Sequence, residues 1–308
     1  MKQHSKYIKR VLAGLFSVAF IISLFIYQDQ IINYTQNLIV SNGKIEQITP
    51  NAYTVDYEFM FIKNTNDLEP KDKQDLLNIY YTLINSGQTT LSFYCPNAYN
   101  DCLDNLKKIA YDNELLSHIN NFAHPFNSFK YITTKFNNRN HITIELVHNY
   151  TPEKIEKINA EVDKIEQKLI KPDMNTEQKI RVIHDHIIDI TRYDVDRANK
   201  EDFSRESDTA YGPLFQGYAI CSGYSDLMAI FLNRWQVPNY RIASENHIWN
   251  LVYVNHTWLH LDLTWNDPVM PDGSDVIDHT FFLITNEKLQ EIEPLEHRFP
   301  THIYIEGK

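Results

Sequence analysis

The sequence predicts an α+β chain: a helix that opens on a cysteine, an antiparallel hairpin after it, a small α+β module before it, and an N-terminal transmembrane helix. Three observations carry this prediction. An uncharged run from Val11 to Gln28 follows Lys2, Lys6, Lys9 and Arg10. From Ala52 onward, helix-period stretches mix with short alternating ones, without an internal repeat or low-complexity tract. Cys221, His247 and Asp262 then follow one another on three segments of clear period.

The N-terminal run is apolar through Tyr27, near the short end of a spanning helix, about 17–25 residues. Its basic flank should stay in the cytoplasm, which makes the chain a single-pass protein of the cell membrane with the remainder extracytoplasmic. A cleaved signal peptide is the rival. No small-x-small cleavage site follows the run, so an uncleaved signal-anchor over residues 1–28 is favoured. Residues 29–50 are polar and mixed and read as a juxtamembrane stalk. The net charge of −11, with no basic stripe, argues against nucleic acid as a partner.

Residues 51–150 read as a small α+β module of unknown role. Tyr53–Phe61 alternates like a strand, and Lys71–Ser86 places Leu76, Leu77, Tyr80, Tyr81 and Leu83 on the apolar side of a helix. Thr89–Tyr94 is a second strand. Asn100–Tyr111 and Asn113–Asn121 are helical, and Lys130–Thr134 with His141–Leu146 forms a hairpin pair across a polar turn. Cys95 and Cys102 bracket a short loop. An oxidising exterior would let them bridge, and two free buried thiols are the alternative. Three cysteines without a C-x-x-C pair argue against structural zinc.

Residues 151–308 read as a second domain. Thr151-Pro152-Glu153 starts a helix with a cap, a first-turn proline and an acid, and Thr176-Glu177 starts the next. Tyr224, Leu227, Met228, Phe231, Leu232 and Trp235 form one buried stripe of the cysteine helix. Cys221 falls at its N-terminus, where the helix dipole favours a thiolate. Tyr240–Ser244, Ile248–Val254 and Thr257–Thr264 alternate as strands. The turn Val254-Asn255-His256-Thr257 makes the last two a hairpin and brings Asp262 beside the strand of His247. Thiol, imidazole and carboxylate are together the parts of an activated sulfur nucleophile. His184 and His186, two apart on a helix, point apart and do not suggest a metal site. His260 and Asp262 share a strand face and leave a weak metal site open.

Three blocks carry a family resemblance: Gly217-Tyr218-Ala219-Ile220-Cys221-Ser222-Gly223-Tyr224, His247-Ile248-Trp249-Asn250-Leu251-Val252, and Trp258-Leu259-His260-Leu261-Asp262-Leu263-Thr264-Trp265. Together with Ile183-His184-Asp185 and Ala210-Tyr211-Gly212, they resemble bacterial transglutaminase-like domains of the papain-like cysteine peptidase superfamily, over about residues 175–270. The resemblance implies a papain-like transglutaminase core, in which the cysteine helix packs on an antiparallel sheet carrying His and Asp. It makes Cys221 the nucleophile, His247 the base and Asp262 the orienting acid, with no cofactor and no metal. Gln216 is a candidate oxyanion donor or else a surface glutamine of the turn, and Trp249 is a candidate site wall or a buried sheet aromatic. Ile220 stands where animal transglutaminases carry glutamine.

A thiol enzyme of this kind would attack an amide carbonyl and pass through a thioester. Its partners would be peptides or surface proteins, wall peptide among them. Hydrolysis is favoured because nothing marks an amine-acceptor site. Cross-linking is one alternative, and a non-catalytic binding or scaffold module on the same fold is the other.

Overall fold

Lys73–Ser86 forms helix α1 because Asp72 caps it, accepting the Asp75 N–H at 3.0 Å, and Gly87 ends it in the left-handed region at φ 72°. Every residue from Leu76 to Ser86 is buried, so α1 is a central helix rather than an amphipathic one. In this computed structural model, the described residues are 27, 48–137, 140–270 and 276–308. The expected transmembrane helix lies outside them. Among the described residues, no helix is long and apolar enough to cross a membrane.

Strand β1 (Thr90–Tyr94) runs into the loop closed by a Cys95–Cys102 disulfide, with Cα atoms 5.7 Å apart. Helices α2 (Cys102–Tyr111) and α3 (Asn113–Asn120) follow, then the hairpin β2 (Phe129–Phe136) and β3 (His141–His148). These three strands form an antiparallel sheet in the order β1-β3-β2. The expected strand Tyr53–Phe61 is not one. It crosses α1 with its backbone bonded to helix side chains: the Val55 N–H donates to Asn85 Oδ1 at 2.9 Å, and Asn85 Nδ2 donates to the Val55 carbonyl at 2.8 Å. The alternating pattern is real, since Phe59 is buried, but Asn85 and Gln74 on α1 replace the partner strand.

Helix α4 (Pro152–Leu169) begins at the Thr151 cap, as its sequence predicts. Helix α5 (Thr176–Asp189) begins one residue earlier than expected in its capping, with Asn175 and Gln178 bonding each other's backbone in a capping box. The two-residue strand β4 (Arg192–Tyr193) and the single turn α6 (Val195–Ala198) lead into the loop before the cysteine. A short strand β5 (Tyr218–Ala219) pairs with β4 in parallel. Helix α7 (Cys221–Arg234) then starts at Cys221 itself and buries the expected stripe from Tyr224 to Leu232. Gly223 is required there, since a Cβ on it would stand 2.3 Å from the Ser207 carbonyl oxygen.

Strands β6 (Asn239–Ala243), β7 (Ile248–Val254) and β8 (Thr257–Leu261) form the second antiparallel sheet, in sequence order. Asn255 and His256 both have positive φ, 54° and 63°, which gives the β7–β8 hairpin its two-residue turn. Helix α7 packs on β6 and β7. A buried ion pair fixes the contact: Asp226 on α7 accepts from Arg241 on β6, and Arg241 also donates to the carbonyls of Asn120 and Ala123. Helix α8 (Asn286–Ile292) and the final turn Ile305–Gly307 complete the chain.

Residues 48–308 form one unit. A single apolar cluster runs from Leu76, Ile79 and Phe122 to Tyr240, Trp249 and Tyr304, so the two sheets share a core. Residues near the end of the chain belong to that core. Tyr304 is fully buried and its hydroxyl meets His118 Nδ1 at 2.7 Å and Asn121 Nδ2 at 2.8 Å. The Glu306 carboxylate accepts the Met60 N–H at 2.7 Å, and the Gly307 carbonyl lies 3.2 Å from His260 Nε2.

Candidate active site

Cys221 is half-buried and free, on the first residue of α7. Ile220 precedes it in extended conformation and offers no side-chain oxygen, so no side chain caps the amides of the first turn. The left-handed Gly217 (φ 71°) ends the preceding turn, and the Ile220 N–H donates to the Ser207 carbonyl at 2.8 Å. These two features fix where the chain enters the helix, and with it the sulfur.

His247 stands one residue before β7 and Asp262 one residue after β8, so both lie just beyond the same end of the hairpin. The ladder pairs Asn250 with Leu261, which brings the two side chains together as the hairpin register requires. His247 Nε2 lies 2.5 Å from Asp262 Oδ2, and the Cys221 thiol acts on the same ring. With Nε2 committed to the carboxylate, Nδ1 is the nitrogen left for the sulfur. Burial alone would lower the pKa of His247, but the charge and hydrogen bond of Asp262, joined by Cys221, push it up to about 10. Burial opposes the charge on Asp262 in turn, yet His247 and His297 hold its carboxyl well below the usual carboxylate range.

His297 is the member of the site that the sequence does not announce. It is completely buried and its Nε2 sits 2.9 Å from Asp262 Oδ2, the same oxygen that meets His247. The other carboxylate oxygen accepts the Trp265 N–H at 3.1 Å. Trp249, Trp265 and Phe281 box His297 in, and Phe281 is stacked on it at 5.2 Å. Its Nδ1 is buried with no hydrogen-bond partner. The proton is therefore on Nε2, where it has an acceptor. Tyr193 also borders the site: burial first, then the charges of Cys221 and Asp194, raise its hydroxyl pKa.

Trp249 is buried and does not wall an open cleft. It stacks on His247 at 5.4 Å and 16° and gives its indole N–H to His260 Nδ1 at 2.9 Å. It supports the His247 ring from below. Gln216 is exposed, and its Oε1 accepts the Glu206 N–H at 2.8 Å. His260 is held by Trp249 and Gly307 and is kept neutral by burial, with its pKa lowered to about 4.

Among the described residues, two groups have metal-ligand composition, His247–Asp262–His297 and His184–Asp185–His279. In the second, Asp185 Oδ1 lies 2.8 Å from His184 Nδ1 and 2.7 Å from His279 Nε2. Asn266 settles the tautomer of His184. Its Oδ1 accepts the Phe281 N–H, so its Nδ2 faces His184 Nε2 at 2.9 Å and must donate. The His184 proton is then on Nδ1 and goes to Asp185, which is the wrong nitrogen for metal ligation at that point. In both groups, the carboxylate oxygen is already taken by imidazole N–H donors.

No family model and no curated protein matches this chain. Among solved structures, it is similar to the crystal structure of a TGase, at 17% identity and a TM-score of 0.32, over 44% of each chain. It is also similar to a "Putative Cysteine Protease" from Cytophaga hutchinsonii, at 11% identity and a TM-score of 0.28, over 50% of this chain and 69% of that one. The chain thus spans less than half the length of the TGase.

Proposed function

We propose that this chain is a transglutaminase-like thiol enzyme, anchored in the cell membrane and working outside the cytoplasm on amide bonds of peptides or surface proteins. The observation that carries the reading is the buried His247–Asp262 pair, whose imidazole also feels the Cys221 thiol. In this scheme, His247 holds a proton opposite the sulfur, and an imidazolium is the partner that sustains a thiolate. The thiolate attacks the carbonyl carbon, and His247 gives its proton to the departing amine. Water, deprotonated by His247, then releases the acid and restores the thiol. The uncapped amides at the start of α7 are better placed than Gln216 to receive the oxyanion. The basic flank and apolar run of residues 1–28 support the anchor, and the Cys95–Cys102 bridge supports an oxidising compartment.

Alkylation of Cys221 across pH tests the pair. Fast alkylation near pH 6 that disappears in His247→Ala supports the enzyme. Alkylation that follows an ordinary thiol near pH ~8.5 in both proteins would instead indicate a binding module on this fold. Release of ammonia or a new amino terminus in the absence of added amine separates hydrolysis from cross-linking.

A further inference from the structure

A large cavity among the described residues is not lined by Cys221. It measures about 1120 Å³ and lies between α3, the β6–β7 connection, α8 and residues 298–302. One hydrogen-bonded link and one covalent link join it to the site. Ser244 on its wall exchanges backbone and side-chain hydrogen bonds with His247, at 2.9 and 3.2 Å. Arg298, also on its wall, directly follows the His297 that holds Asp262. A ligand in this cavity therefore sits within one loop of the imidazole–carboxylate pair.

The wall carries both signs of charge without neutralising itself. Glu114, Glu245 and Arg298 all line it, and no ion pair joins any of them to another. The ion-pair contact of Glu114 is His118 Nε2 at 3.6 Å, too long for a hydrogen bond. His118 is only 6% exposed and that nitrogen has no hydrogen-bond partner; on the opposite wall Asn286 is half-buried, and its Oδ1 has none either. Ligand sites commonly measure about 300–1,000 Å³, so the volume suits a few residues of a peptide. Separate acidic and basic groups on one wall fit a ligand that carries both charges.

Resting on the thiol-enzyme reading above, we propose that this cavity is a substrate subsite for a short peptide bearing both a free carboxylate and a primary ammonium. Arg298 takes the carboxylate, Glu114 and Glu245 take the ammonium, and the amide to be attacked extends past His247.

Calorimetric titration of the full-length Cys221→Ala chain tests this with three probes: Nα-acetyl-alanyl-lysine, its C-terminal amide, and its Nε-acetyl derivative. The first is expected to bind at least tenfold more tightly than either of the others. Arg298→Gln should make acid and amide equal, and Glu114→Gln with Glu245→Gln should make lysine and acetyl-lysine equal. All three charges are at the surface, and an unchanged melting temperature shows that each variant is folded. Equal binding of the three probes, or no binding at millimolar concentration, overturns the proposal. Cys221 alkylation in the unsubstituted chain is scored separately. A reactive thiol with indifferent probes overturns the subsite alone, and discriminating probes with an inert thiol overturn the enzyme alone.

Discussion

Asp262 and Asp185 are each bridged by two imidazoles on a single carboxylate oxygen, at similar distances, yet their surroundings differ. Asp262, His247 and His297 lie inside the protein, boxed by Trp249, Trp265 and Phe281. Asp185 and His279 keep about a third of their side-chain surface in water, with only His184 fully enclosed. At the buried carboxylate, His247 is driven up to about 10. At the rim, burial wins and the pKa of His184 is lowered although Asp185 is its neighbour. The same three residue types thus give an imidazolium–carboxylate pair in one place and a neutral imidazole on a carboxylate in the other. The balance decides: desolvation outweighs Asp185 at His184, whereas Asp262 and Cys221 outweigh desolvation at His247.

Asp262→Asn is the largest break. It leaves His247 and His297 without their acceptor, and removing one partner of a buried pair costs about 3–5 kcal/mol. Any amide turnover should fall on the order of 10⁴-fold, as a misplaced imidazole tautomer does elsewhere. Turnover within tenfold of the unsubstituted chain would remove Asp262 from the mechanism.

His297→Ala is the next. It takes one hydrogen bond from a buried carboxylate, at about 1–3 kcal/mol in denaturant unfolding. If His297 positions Asp262, the pH profile of Cys221 alkylation shifts with it. If the profile stays put while stability drops, His297 only fills space.

The pH dependence of stability sharpens the contrast further. His247 titrates near 10 when folded against about 6.5 when unfolded, so its contribution is full below about 6.5 and is lost as pH rises through 10. His260, lowered to about 4, contributes fully above about 6.5 and loses its contribution as pH falls through 4. Stability should therefore peak near neutrality, and His247→Gln should flatten the alkaline limb. A flat unfolding free energy from pH 7 to 10 in the unsubstituted chain would contradict the His247–Asp262 pairing.

Asp185→Asn should do least. An exposed bridge of this kind is worth up to about 1 kcal/mol, and Cys221 alkylation should not change. A large loss would mean that the rim group is coupled to the site through Asn266.

Much of this arrangement can be read before folding. Cys221 begins its helix where the stripe Tyr224 to Leu232 says it must, and the Asn255-His256 turn fixes the hairpin that joins His247 to Asp262. These are local patterns. Tyr53–Phe61 has the same strand period as its successors, but periodicity reports burial and not the identity of the partner. Its partners are the side chains of Asn85 and Gln74 on α1. His297 is 35 residues from Asp262, in a segment with neither period nor motif, and only the tertiary fold brings them together. Its one signal is aromatic company in space, which has no image in the linear sequence. Trp249 is legible as important but not as to how: its alternation marks burial, and its stack on His247 needs coordinates.

The placement of Tyr304, Glu306 and Gly307 in the core has a consequence for the order of events in synthesis. Tyr304 closes on His118, which leaves the ribosome 186 residues earlier, roughly 10–40 s at ordinary elongation rates. Until then Phe122 and Tyr240 lack the ring that stacks on them, and Met60 lacks the carboxylate that holds its backbone. The nascent chain cannot seal its interior piece by piece as it emerges. Any chaperone or export channel that meets it along the way meets an unfinished fold.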